Sequence, residues 1–100
     1  MKYVLLGSLN ASTMTKQTKR TTTARAKLKQ LWIKLESVYY TQGTYDFVDV
    51  VDAPNPEAML AFSVWYGAQG YGEIASCPAF DERSMVKALK SAGLRGRKRR

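Results

Sequence analysis

The stretch Gln42-Gly43-Thr44-Tyr45-Asp46-Phe47-Val48-Asp49-Val50-Val51 decides the fold of this 100-residue chain. Gly43-Thr44 is a two-residue loop with glycine first, the pattern of a type II′ hairpin turn. The turn leads into a strand with apolar residues on both faces: Tyr45, Phe47 and Val51 point one way, Val48 and Val50 the other. It therefore joins a strand over residues 37–42 to one over residues 45–52. Pairing across it places Gln42 opposite Tyr45, Thr41 opposite Asp46, Tyr40 opposite Phe47 and Tyr39 opposite Val48.

Working outward, residues 3–9 (Tyr-Val-Leu-Leu-Gly-Ser-Leu) read as a first strand. This apolar run is short and has no cleavage pattern behind it, so a strand fits better than a secretion signal. A helix starts between residues 12 and 21, with Ala24, Leu28, Leu31, Trp32 and Leu35 on one stripe. Thr21-Thr22-Thr23 weakens its early turns. Asn55 caps a second helix over residues 56–66, where Pro56 suits the first position and Glu57 complements the dipole. That helix is apolar nearly all round, through Met59, Leu60, Phe62, Val64, Trp65 and Tyr66, and Gly67 and Gly70 end it. Residues 71–80 contain a fourth strand. A short C-terminal helix over residues 81–92 is capped by Asp81 and stopped by Gly93.

The order βαββαβ predicts a ferredoxin-like α+β sheet with both main helices on one face and a short C-terminal helix appended. The first strand divides, like the third, into Tyr3, Leu5 and Leu9 against Val4 and Leu6. Helices on one side leave the other apolar face in water, which is unusual for a monomer. A homodimer, or a larger homo-oligomer built from dimers, is the simplest cover.

Several segments together resemble the GYD domain family of small bacterial proteins, most of which have no assigned activity. They are Tyr3-Val4-Leu5-Leu6-Gly7, Tyr39-Tyr40-Thr41, Gly43-Thr44-Tyr45-Asp46-Phe47-Val48, Ala53-Pro54 and Ala79-Phe80. The resemblance covers about residues 1–92 and implies a fold of the dimeric α+β barrel type. Two features depart from the family pattern. Leu35-Glu36-Ser37 stands where glycine is usual between the first helix and second strand, and a basic tail extends beyond the domain.

Composition narrows the chemistry. The chain has no histidine, which excludes Ser-His and Cys-His nucleophiles and leaves carboxylates alone for any metal; no metal site and no cofactor is expected. Cys77 is the single cysteine, so no intrachain disulfide forms and a cytoplasmic location is expected. Beside Pro78 it reads as a small buried hydrophobe. No apolar stretch approaches the ~20 residues of a membrane span.

The net charge of +8 is segregated. Residues 1–35 carry eight Lys or Arg and no acid, residues 36–82 all eight acids and no base, and residues 83–100 eight more bases. Such blocks either dock one element on another or form a bipolar surface. Residues 93–100 read as a disordered basic tail. Its Arg95, Arg97, Lys98, Arg99 and Arg100 are candidates for non-specific nucleic-acid contact, since they can meet phosphates but read no sequence.

The candidate ligand-binding residues are Tyr39, Thr41, Tyr45, Asp46 and Asp49. Thr41, Asp46 and Tyr39 are expected on one sheet face and Tyr45, Tyr40 and Phe47 on the other. A carboxylate beside a phenol and a hydroxyl can hold a small ligand or act as a base; equally, Asp46 can bond locally at the turn. Asp49, flanked by Phe47 and Val51, invites a structural ion pair with a base from the first helix or a partner chain. Trp32 and Trp65 are expected in the core. Three broad functions remain open: a homo-oligomeric small-molecule or protein binding module, a cofactor-free monooxygenase- or isomerase-like enzyme, and non-specific nucleic-acid binding through the tail and the first helix. A filled interior argues against the enzyme, and a part-buried carboxylate beside a tyrosine argues for it.

Overall fold

The computed structural model describes residues 1–94. The elements are β1 (Lys2–Leu9), α1 (Ala11–Met14), α2 (Gln17–Gln30), β2 (Lys34–Tyr40), β3 (Phe47–Asp52), α3 (Pro56–Ala68), β4 (Gly72–Pro78) and α4 (Glu82–Ser91). The strands form one sheet in the order β2-β3-β1-β4, antiparallel throughout. This is the expected ferredoxin-like α+β fold, of the dimeric α+β barrel type. No helix among the described residues is long and apolar enough to cross a membrane.

The alternation on β1 and β3 fixes which side is the core. Tyr3 and Leu5 on β1, and Phe47 and Val51 on β3, are buried under Leu28 of α2 and Met59, Phe62 and Tyr66 of α3. Gly7 stands opposite Phe47, and the Phe47 ring occupies the space a side chain at position 7 would need: a Cβ there would lie 2.0 Å from its Cζ. Val4, Leu6, Val48 and Val50 face the other way, onto a side of the sheet that none of the described helices covers.

The hairpin keeps the expected register, with Tyr39 opposite Val48 and Tyr40 opposite Phe47, and the Thr41 amide donating to the Asp46 carbonyl at 2.9 Å. The turn itself is wider than a two-residue loop. Gly43 has the expected positive φ (111°), but the ladder closes at Thr41–Asp46, which leaves residues 42–45 as the connection. Asp46 draws the base of this loop toward β1: the Leu9 amide donates to Asp46 Oδ2 and the Asp46 amide to the Gly7 carbonyl, both at 2.7 Å. On β2, a bulge between Leu35 and Ser37 sets Glu36 out of register.

The first helix differs most from expectation. It is two pieces, and α2 ends at Gln30, so neither Trp32 nor Leu35 belongs to it. The Ile33 amide donates to the Leu28 carbonyl and the Trp32 amide to the Lys29 carbonyl, with Trp32 at φ 62°. These two bonds define a Schellman stop, whose left-handed position ordinarily takes glycine. The buried pair Leu28 and Ile33 supplies the hydrophobic contact that accompanies it. Periodicity placed Trp32 in the core; the reversal instead turns it outward, 84% exposed. Replacing Trp32 with glycine is expected to raise stability by about 1 kcal/mol by removing the left-handed strain. A small rise in the urea midpoint at unchanged slope is the measurement that checks it.

On α3, the Ala58 amide donates to Asn55 Oδ1 at 2.8 Å, with Pro56 at the helix start, as the sequence indicated. The helix runs through Gly67 and ends near Gly70 (φ 76°). Only one side of it is covered within the chain, since Leu60 and Val64 are exposed. Trp65 packs against the core in an aromatic group with Phe62, Tyr66 and Tyr71. Cys77 is exposed, not buried: on β4 the inward positions are Gly72, Ile74 and Ser76, and Cys77 falls on the opposite parity. Ser76 Oγ instead bonds Ser63 Oγ of α3 at 2.7 Å, joining sheet to helix.

Candidate functional site

The interior is not filled. Between the sheet and the helix layer lies a cavity of about 50 Å3, bounded by α2, β2, β3, α3 and Ile74 of β4. That space admits a few water molecules or the end of a small ligand. Its walls are mostly apolar, from Ala24, Leu28, Val38, Phe47 and Phe62, with a polar set made of Asp49, Arg20, Arg25, Tyr40 and Tyr66.

Strand parity delivers Asp49 to this cavity. It lies between Phe47 and Val51 on the core face of β3, opposite Val38 of β2 and Leu5 of β1. Its Oδ1 is buried and accepts no hydrogen bond among the described residues. Burial raises its pKa to about 6, and the Arg25 charge opposes that rise. The expected ion pair with the first helix does not form as a contact, because Arg25 acts on Asp49 only through its field. An unpartnered buried acceptor costs about 1–3 kcal/mol, so it marks a place where a donor is missing.

Arg20 is the surprise of α2. It sits at i−4 and i−8 from Ala24 and Leu28, on the inward stripe, and is only 3% exposed. α1 explains how a buried guanidinium is tolerated. The Asn10 amide and Thr13 hydroxyl donate to the Tyr71 carbonyl, both at 2.8 Å, which fixes α1 against the α3–β4 loop. Arg20 Nη1 then donates to the Thr13 carbonyl at 2.9 Å, and Nη2 to Gln17 Oε1. Gln17 passes the network on by donating from Nε2 to the Tyr40 hydroxyl at 2.5 Å. Tyr66, buried at the other side of the cavity, has its pKa pushed up to about 12, chiefly by burial. It is a neutral phenol at any physiological pH, beside Arg20 and Asp49 in charge range.

Of the five residues singled out from sequence, Asp49 alone lines the cavity. Tyr39 lies on the uncovered sheet face and is 66% exposed. Thr41 is exposed, its hydroxyl donating to the Tyr45 carbonyl at 2.7 Å. Tyr45 is half-buried in the loop, and the Asp46 carboxylate is taken up by the Leu9 amide. The local reading of Asp46 is therefore the one the geometry has. Sequence reasoning missed Arg20, Tyr40 and Tyr66. The signal for Arg20 was present, an arginine one turn before Ala24 on the apolar stripe, and Tyr40 shares the parity of Asp49 across the hairpin. The tail residues Arg95, Arg97, Lys98, Arg99 and Arg100 lie outside the described residues.

Comparison with known proteins identifies the family and the fold. The sequence model of the GYD domain matches residues 3–89. The chain belongs to the GYD domain family. Among solved structures, this GYD domain is similar to 5-chloro-2-hydroxyhydroquinone dehydrochlorinase (TftG) from Burkholderia phenoliruptrix AC1100, solved in complex with 2,5-dihydroxybenzoquinone. The match has a TM-score of 0.58 at 10% identity and covers 84% of this chain and 98% of that one. At that identity the likeness is one of fold. No curated protein matches the GYD domain described here.

Proposed function

We propose that this GYD domain is a cytoplasmic, homo-oligomeric binding module for a small molecule, seated between the sheet and helices α2 and α3. One observation carries the reading: the buried Asp49 Oδ1, without a partner, at an open apolar cavity. A ligand O–H or N–H donated to that oxygen satisfies the acceptor, and the apolar walls hold the rest of the molecule. The similarity of fold to a protein solved with a dihydroxybenzoquinone supports a hydroxylated ring as the first ligand class to try. The uncovered apolar sheet face supports the oligomer.

A second reading is favoured by the same residue. A carboxylate with a pKa of about 6 is suited to take a proton from a bound hydroxyl near neutral pH, and the Arg25 field would favour the anion left behind. On that reading the protein is a cofactor-free enzyme acting on a weakly acidic small molecule.

The test is titration of the full chain with 2,5-dihydroxybenzoquinone and simple phenols, monitored by amide NMR shifts. Binding should move signals of β3, α2 and α3 around Asp49, and Asp49→Leu should weaken it at least about tenfold. Shifts confined to the exposed sheet face, or affinity unchanged by Asp49→Leu, would refute the assignment. Ultraviolet spectra showing the bound phenol as its anion would select the enzyme reading.

A further inference from the structure

Among the described residues of its own chain, helix α4 has almost nothing to pack on. It is well specified locally: the Ser84 amide donates to Asp81 Oδ1 at 2.8 Å, and Gly93 (φ 74°) ends it. Met85, Val86, Leu89 and Ala92 fall on one face, with Arg83, Lys87 and Lys90 on the other. Yet Met85 is 59% and Val86 55% exposed, with Phe80 before the helix at 75% and Leu94 after it at 67%. A helix of ten residues is below the ~12–15 at which isolated helices become even marginal in water, so its order depends on a surface that buries the stripe.

We propose that this surface is a second copy of the chain, and that each protomer clasps the other with α4 at the margin of the uncovered sheet face. The inference rests on the homo-oligomeric part of the proposed function. Area supports it. Four strands spaced ~4.8 Å apart, each about seven residues at ~3.3 Å, present a face of roughly 450 Å2. A standard stable interface takes about 800 Å2 of accessible surface from each partner, and a footprint of this size is small for it. An α4 about 15 Å long and ~10 Å wide adds roughly 150 Å2 as donor and as much again as receiver, bringing each copy near that size. The sheet face and the α4 stripe are then covered by one partner. The basic flank of α4 also suits an anionic lipid surface, but its stripe is short and has no aromatic residue within the helix, and lipid would leave the sheet face uncovered.

The experiment compares the full wild-type chain with Met85→Glu/Leu89→Glu and with Lys87→Glu, by light scattering over a concentration series at ~0.5 M salt, where charge-driven association is screened. Because α4 touches so little of its own protomer, these changes should leave the protomer folded, with a loss of helical circular dichroism no greater than the ten residues of α4. The wild type should be dimeric or a multiple of it, the double variant at least ~100-fold weaker in association, and Lys87→Glu unchanged. A dimer that Met85→Glu/Leu89→Glu leaves untouched would overturn the clasp while sparing the homo-oligomer. A wild type monomeric at ~100 µM would overturn both. In that case, sedimentation with anionic vesicles that depends on Met85 and Leu89 would identify lipid as the occupant.

Discussion

Gly72→Ala should be the most damaging single-methyl change in the chain, costing about 3 kcal/mol or more. Gly72 opens β4 at φ 151°, paired with Leu9 at the end of β1. A Cβ there would lie 1.9 Å from the Ser8 carbonyl oxygen and 2.9 Å from Leu9 Cα. Both neighbours are backbone, so no rotamer relieves the clash; β1 and β4 must separate. Overpacking typically costs about 1–3 kcal/mol where side chains can yield, and the positive φ adds strain of its own. Against a usual margin of about 5–15 kcal/mol for a small domain, the loss is large. Urea unfolding measures it, and Gly67→Ala provides the contrast. Gly67 lies in the last turn of α3 with open space where a Cβ would stand, so the same substitution should stabilise by up to about 0.5–1 kcal/mol. Equal effects at the two positions would show that backbone crowding at Gly72 is not the cause.

Asp49→Asn should change how stability depends on pH. The folded-state pKa of Asp49 is about 6, above its ordinary 3.8. Between those values the folded chain holds a proton that the unfolded chain has released, so stability falls as pH rises through this window. Above about pH 6 both states are ionised, and the penalty of the buried charge is present in full. Asp49 is only part-buried, and solvent screening limits that penalty to no more than about 2 kcal/mol. The asparagine variant should therefore be more stable than wild type at pH 7–8 and should match it near pH 4. It should also lose the decline between. A difference that grows as pH falls below 4 would contradict the assignment. A stabilising substitution at a position that also weakens ligand binding is what a site residue kept at the expense of stability produces.

The architecture was legible because it is written in local signals that packing does not override. Alternation on β1 and β3, the Asn55-Pro56-Glu57 start and the Asp81 cap all point the same way as the sheet requires. The hairpin register came from the pairing around Gly43, although the loop width did not, because it depends on the Asp46 carboxylate reaching the Leu9 amide across 37 residues of sequence. Trp32 misled for a related reason. Its spacing continues the α2 stripe, and only the bonding of Ile33 and Trp32 back to Leu28 and Lys29 shows that the helix has already reversed. Cys77 went astray by one step of parity on a strand whose start at Gly72 was not fixed by sequence. Of the site, Asp49 was visible as a charge among apolar neighbours. Arg20, Tyr40 and Tyr66 meet it only because four elements converge, and no window of sequence contains them together.

The sheet order has a consequence for how the chain is made. β1 leaves the ribosome before the other strands of the sheet and lies in its middle, between β3 and β4. Its final partner, the strand from Gly72 to Pro78, is synthesised about seventy residues later. Until then one edge of β1 stays open, with Val4 and Leu6 beside it, and any nascent neighbour can pair there. Completion of the sheet thus waits on the most distant pairing in the molecule, which sets a slow closing step relative to helix formation.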